Sequence, residues 1–136
     1  MISGFSVAAM PLTFTCERSE RNYIETYELQ VTPASKGQKA KVFLDGRDLD
    51  RADEVGQQSV QNVLITESTV LISIKASFLP EVFDGMQYGA GSVVTAIHLN
   101  RQTGQLRKVE TITGGILSAT LGGGTRTYQE QCTVMK

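Results

Sequence analysis

The chain has 136 residues, 40% of them hydrophobic and 20% charged, so it is long enough to bury the core of one domain and too apolar for a disordered chain. Its 13 basic and 14 acidic residues nearly cancel, which provides no field to attract a phosphate backbone and argues against a nucleic-acid partner. No apolar run approaches the roughly 20 residues that span a bilayer, so we expect no membrane span.

The N-terminal stretch, residues 1–9, is apolar but lacks a basic region. Val7 and Ala9 have the −3 and −1 spacing that a signal peptidase prefers. Residues 1–9 are therefore either the end of an export signal, or a first strand or frayed end. We expect a single β domain over residues 10–136.

Strands are predicted next, wherever apolar and polar residues alternate along the chain. One face of the segment NYIETYELQV carries Tyr23, Tyr27, Leu29 and Val31. The segment KAKVFLD carries Ala40, Val42 and Leu44 on one face. Asp45 and Gly46 follow, and this pair predicts a hairpin turn because glycine readily adopts the positive φ that such turns need.

The most polar segment covers residues 47–61 and predicts either a short helix or a long loop on the surface. Its acidic residues are Asp48, Asp50, Asp53 and Glu54. Their spacing lacks the glycine and the distal glutamate of a calcium loop. We therefore expect a solvated surface segment and no metal site.

The C-terminal half continues the strand pattern. TVLISIKASF is the clearest strand, SVVTAIHLNR and QLRKVETITG predict an antiparallel pair, and GGILSATL predicts a short strand before a glycine loop at 122–124 and a closing strand. About eight strands with little helix indicate an all-β fold, a single antiparallel barrel or sandwich. A barrel is favoured because closure removes exposed sheet edges.

The two cysteines, Cys16 and Cys132, lie near opposite ends of the chain. This spacing does not match a zinc site or a redox pair. We expect a disulfide that joins the first and last strands at the seam of the barrel, and hence a periplasmic or secreted protein. The alternative is two buried free thiols in a cytosolic protein.

Catalytic residues are not apparent. His98 is the only histidine, and alternation with Ile97 and Leu99 places it on the outer face of a strand, before a hairpin loop. Gly122–Thr125 lacks the lysine of a phosphate loop. The sequence therefore predicts no catalytic residue, no metal and no cofactor, and a protein that is not an enzyme.

A partner-binding loop is the remaining candidate for a functional site. Phe83, Met86 and Tyr88 lie among turn-forming glycines, and Ser92 follows them. Aromatic side chains on a loop of a rigid β scaffold are typical of recognition sites. The alternative is that these rings cap the end of the barrel as part of its core.

The strand pattern also resembles that of a known family. TFTC in the first strand, YELQV in the second, IHLNRQTGQL and the last-strand Cys132 are similar to small bacterial periplasmic β-barrel domains, among them the inhibitors of C-type lysozyme. The resemblance implies an eight-stranded antiparallel barrel with bridged terminal cysteines. It also implies a Ser- and Gly-bearing loop that enters the lysozyme cleft, with GMQYGAGS, residues 85–92, as the nearest counterpart.

Two functions follow as hypotheses. The first is a non-enzymatic secreted or periplasmic barrel that binds a macromolecule, expected to be a protein, as a hydrolase inhibitor of the lysozyme type or as an envelope accessory protein. The second is a cytosolic or virion-associated assembly protein with free thiols.

Overall fold

A computed structural model describes residues 11–19 and 21–134. The predictions made for residues 1–9 lie outside this range. The strands are β1 (Leu12–Ser19), β2 (Ile24–Thr32), β3 (Lys41–Leu44), β4 (Arg47–Asp48), β5 (Arg51–Ala52), β6 (Gly56–Ile65), β7 (Thr69–Phe78), β8 (Glu81–Phe83), β9 (Met86–Tyr88), β10 (Gly91–Asn100), β11 (Gln105–Gly114) and β12 (Gly124–Val134). Helix α1 (Gly115–Leu121) connects β11 to β12.

Ten of these strands form one antiparallel sheet in the order β4-β3-β2-β1-β12-β11-β10-β7-β6-β5. The sheet curls into a nearly closed barrel. Eight strands of the described chain have four residues or more, which agrees with the predicted number. The all-β antiparallel fold is therefore confirmed. Strands β8 and β9 form a separate two-stranded sheet.

The core lies inside the barrel, because alternate residues of each strand point to the same side. The most deeply buried apolar side chains are Phe14, Leu29, Val31, Val42, Val70, Leu99 and Leu106. Burial of each contributes roughly 1.5–3 kcal/mol. Tyr23 does not join them: the chain bends before β2, and Tyr23 is 57% exposed. The prediction of an inward Tyr23 is wrong because the alternation begins only with β2.

The predicted disulfide between Cys16 and Cys132 is confirmed. The two residues face each other directly in the β1–β12 pair, with 3.9 Å between their Cα atoms, and both are buried. Both cysteines of the chain are used, so the free-thiol alternative is wrong. The bond does not close an open seam, however, because β1 and β12 are already joined by backbone pairing.

The seam of the barrel lies instead between β3 and β6, where residues 49–50 connect the two edges. The Leu49 N–H donates to the Val42 carbonyl at 3.0 Å, and the Gln58 side-chain amide donates to the Leu49 carbonyl at 2.9 Å. Asp50 completes the connection, because its Oδ1 accepts the Val60 N–H at 2.8 Å. Single hydrogen bonds therefore replace a continuous ladder at this seam.

Lysines on the β3 side hold the Asp50 carboxylate. Lys41 Nζ lies 3.1 Å from Asp50 Oδ2, and Lys39 Nζ lies 3.2 Å from Oδ1. Partial burial acts to raise the pKa of Asp50, but the Val60 N–H and the two ammonium groups outweigh it and hold that pKa below the ordinary value. Asp48 and then Asp50 raise the pKa of Lys41. These carboxylates therefore have a structural role.

The polar segment 47–61 contains β4, β5 and the start of β6, so neither the predicted helix nor a continuous long loop is present there. Three of its acidic residues, Asp48, Asp50 and Asp53, instead accept hydrogen bonds from backbone N–H groups of the same segment. Asp53 Oδ1 accepts the N–H groups of Val55 and Gly56 in the turn that precedes β6.

The segment 115–121 is helix α1, so the strand predicted there is wrong. Gly114 and Gly115 have φ values of 65° and 72°, which end the extended conformation of β11. The chain then turns into a helix, in which the Thr120 hydroxyl donates to the Ile116 carbonyl at 2.8 Å. The helices of the described chain include none that is long and apolar enough to cross a membrane.

Candidate functional site

The most distinctive surface element is a hairpin that we call the apolar hairpin, residues 79–89, which contains β8 and β9. Its two strands pair with each other and with no other strand of the described chain. Asp84 and Gly85 form its turn, with φ values of 54° and 79°. This is the primed turn that Asp-Gly favours. The predicted Asp45-Gly46 turn has the same geometry, so the same signal would have predicted this hairpin.

The apolar hairpin exposes large side chains on both of its faces. Phe83 and Met86 are opposite each other in the register and are 61% and 60% exposed. Val82 points to the other face and is 67% exposed. Leu79, at the base, is 58% exposed. Phe83 and Met86 therefore do not cap the barrel as core residues.

The other two predicted binding residues lie closer to the barrel. Tyr88 is half-buried and opposite Glu81, on the same hairpin face as Phe83 and Met86. Ser92 belongs to β10, where it lies between Ser77 of β7 and Thr113 of β11. The structure thus brings three of the four residues together on the hairpin and places Ser92 on the barrel wall.

A cleft of about 670 Å³ lies at the base of the apolar hairpin, and we call it the hairpin cleft. Its lining includes Leu79 from the hairpin and Ser92 from β10. Lys75, Ser77 and Thr113 add an ammonium group and two hydroxyls from the outer barrel wall. Ser92 therefore lies in a mainly apolar recess with a few polar groups, next to the exposed apolar side chains.

Glycines shape the wall of the hairpin cleft, a feature that the sequence analysis missed. Gly56 and Gly91 lie on either side of Phe78 in the sheet register. A Cβ on Gly56 would approach the Ser77 carbonyl oxygen to 2.1 Å, and one on Gly91 would approach the Gly114 oxygen to 2.7 Å. The backbones therefore come too close for any side chain at these positions.

His98 and Arg101, the residues nearest to a candidate catalytic pair in the sequence, do not form a site together. His98 is exposed on the outer wall of β10, as predicted. Arg101, in the following loop, donates a hydrogen bond to the Thr66 carbonyl and so ties two hairpin loops together. Within residues 11–19 and 21–134, no three His, Cys, Asp or Glu side chains cluster as a metal site would require.

Comparison with known proteins gives no relative for this chain. No protein-family model, curated protein or solved structure matches it.

Proposed function

We propose that the protein is a non-enzymatic, secreted or periplasmic β-barrel that binds a protein partner through the apolar hairpin. The observation that carries this proposal is the exposure of Val82, Phe83 and Met86 on a hairpin that no other described strand covers. The disulfide supports the compartment, because such bonds persist in oxidising environments.

Burial against a partner would remove this apolar surface from water. Each square ångström of apolar surface so buried stabilises a complex by roughly 25 cal/mol before the costs of association. Contiguous exposed apolar side chains commonly mark interaction sites. Phe and Met are also enriched in interfaces between proteins. The hairpin therefore has the composition of a binding element, and the barrel provides its scaffold.

The partner that we propose is a hydrolase of the C-type lysozyme class. The strand pattern and terminal cysteines resemble those of lysozyme inhibitors, in which a projecting loop enters the enzyme cleft. The counterpart segment, residues 85–92, runs from the Asp84-Gly85 turn through β9 into the start of β10. A narrow hairpin with an apolar tip has a suitable shape for a substrate groove.

A crosslinking experiment on the full chain tests this proposal. A photoreactive amino acid replaces Val82 in one variant and Val94 in another, since Val94 is also exposed but lies on the outer wall of β10. With C-type lysozyme, we expect an adduct from position 82 only, together with inhibition of cell-wall hydrolysis. Phe83→Ser in the same background should abolish both.

Other outcomes would contradict particular parts of the proposal. Absence of both adduct and inhibition with lysozyme would overturn the proposed partner class. A periplasmic extract then tests protein binding itself, where the expected result is a discrete adduct from position 82 that Phe83→Ser removes. Equal labelling from positions 82 and 94, no labelling, or an adduct with a second copy of the chain would contradict binding of a different protein by the hairpin.

A further inference from the structure

The interior of the barrel contains a second feature, a cavity of about 450 Å³. We call it the barrel cavity. One part of its lining is apolar and comes from Leu29, Leu44, Leu49, Ile74 and Ile97. The other part is polar and includes Arg18, Tyr27, Lys108, Glu110 and Glu130. An apolar cavity with a few convergent polar groups is the usual form of a small-molecule site.

Glu130 is the central polar group of this cavity. Its side chain is fully buried, and its Oε1 accepts a hydrogen bond from the Tyr27 hydroxyl. Its Oε2 has no hydrogen-bond partner among the described residues. Burial of a carboxylate is costly unless its oxygens accept hydrogen bonds. One oxygen of Glu130 therefore accepts a hydrogen bond, and the other is buried without a donor.

Lys108 is the cation paired with Glu130, but it does not donate a hydrogen bond to Oε2. Lys108 Nζ lies 3.7 Å from Glu130 Oε2, which is an ion-pair distance but longer than a hydrogen bond. The same ammonium group lies 5.3 Å from the centroid of the Tyr128 ring, within the range of a cation–π interaction. Tyr128 and Glu130 therefore share Lys108.

The Tyr27 hydroxyl occupies the other carboxylate oxygen of Glu130, Oε1, as a hydrogen-bond donor. Burial, followed by the hydrogen bond to Glu130, raises the pKa of the Tyr27 hydroxyl well above its ordinary value. The hydroxyl therefore stays protonated at neutral pH and remains a donor to Oε1. A new donor would have to bind at Oε2.

The charges around the cavity favour a cation. Four carboxylates contribute to its lining, those of Glu25, Asp45, Glu110 and Glu130. Three cationic groups oppose them, those of Arg18, Arg47 and Lys108. The difference is one negative charge, and Arg18 is 2.9 Å from Glu25 in an ion pair. An anionic ligand would add to this excess, whereas an ammonium group would neutralise it.

We propose that the barrel cavity binds a small organic amine. Its ammonium group donates to Glu130 Oε2, and its alkyl or aryl body packs against the apolar part of the lining. This site is separate from the apolar hairpin, so the amine-binding proposal does not depend on the proposed protein binding.

Calorimetric titration of the full chain at pH 7 tests the proposal, with n-hexylamine, n-hexanol and hexanoate as probes of equal chain length. We expect hexylamine to bind at least about tenfold more tightly than hexanol, because the ion pair between an ammonium group and the carboxylate is replaced by a hydrogen bond from a neutral hydroxyl. Hexanoate should not bind. No binding of hexylamine, or equal affinity for hexanol or hexanoate, would overturn the proposal.

The variant Glu130→Gln tests whether hexylamine binds in the barrel cavity. Glu130→Gln keeps the shape of the side chain but removes its charge, and it should reduce hexylamine affinity about tenfold, to the level of hexanol. Glu67→Gln is the control, since Glu67 is exposed in the turn between β6 and β7. If Glu130→Gln fails to fold, amide chemical-shift changes in the wild-type protein decide: shifts at Thr95, Ile97 and Lys108 support the site, and shifts confined elsewhere contradict it.

Discussion

The β1–β12 pair and the apolar hairpin place their hydrophobic side chains in opposite environments. Phe14 and Cys16 of β1 are at most 2% exposed, and the strand is joined to β12 by both backbone pairing and a disulfide. Val82 and Phe83 are more than 60% exposed, and their strand has one partner only. The comparison indicates that stability is concentrated in the barrel wall and that the hairpin contributes little to it.

Removal of the disulfide should have the largest effect on this comparison. The bond joins residues 116 positions apart, and in the chain-entropy model a loop of that length contributes about 4–5 kcal/mol. We expect the double variant Cys16→Ala, Cys132→Ala to lose about this free energy of unfolding in urea. A loss below about 1 kcal/mol would show that backbone pairing alone maintains the β1–β12 contact.

Asp50→Ala should have the next largest effect, because it opens the seam of the barrel. It leaves the Val60 N–H without its acceptor, removes the acidic partner of Lys39 and removes one of the two acidic partners of Lys41. Hydrogen bonds to a charged group contribute about 1.5–3 kcal/mol, so we expect a loss of about 2 kcal/mol. Glu67→Ala, on the exposed β6–β7 turn, is the control and should change stability little. Equal effects of the two variants would show that the seam does not depend on Asp50.

The shifted pKa values of Asp50 and Tyr27 determine how we expect the stability to depend on pH. The pKa of Asp50 is lowered on folding, so its contribution is present above the ordinary aspartate pKa of about 3.9 and is lost as the pH falls below it. The pKa of Tyr27 is raised, so its contribution is present below about pH 10 and is lost as the pH rises above it.

Melting temperatures measured from pH 2 to 11 test both the acid limb and the alkaline limb of the stability curve. Asp50→Asn should flatten the acid limb, and Tyr27→Phe should flatten the alkaline limb. Unchanged limbs in these variants would assign the pH dependence to other groups.

The smallest effect on stability is expected in the apolar hairpin. Phe83→Ser and Met86→Ser should each change the free energy of unfolding by less than about 0.5 kcal/mol, as is usual for exposed positions. The matched core variant Phe14→Ala should lose about 3–5 kcal/mol, because Phe14 is almost fully buried. Thermal unfolding of the three variants gives the comparison. Similar losses at positions 83 and 14 would mean that the hairpin aromatic belongs to the core.

Local patterns account for the parts of the fold that were predicted correctly. Strands such as β7 alternate between buried residues and less buried ones over most of their length, so their sequences predict both their extended form and their inner faces. The disulfide followed from two cysteines in the first and last strands. Helix α1 was missed because its short apolar sequence fits either structure, and the conformation is decided by the two glycines at its start, Gly114 and Gly115.

Contacts between distant residues account for the parts that were missed. Asp50 closes the seam with a residue ten positions away, and Tyr27 bonds to Glu130, which is 103 positions away. No local pattern contains such pairs. A partial signal was present, since Glu130 lies two residues before Cys132 in the same strand and therefore shares its inward face. An inward charge in a strand would have indicated a polar cluster in the barrel.

Hydrogen exchange of the full chain tests most directly whether the hairpin stands outside the cooperative core. We expect hydrogen-bonded amides of β8 and β9 to exchange through low-energy local opening, whereas those of β1 and β12 should exchange only on global unfolding. Equal protection of the two strand pairs would contradict the separation of a stable barrel from a surface hairpin available for binding.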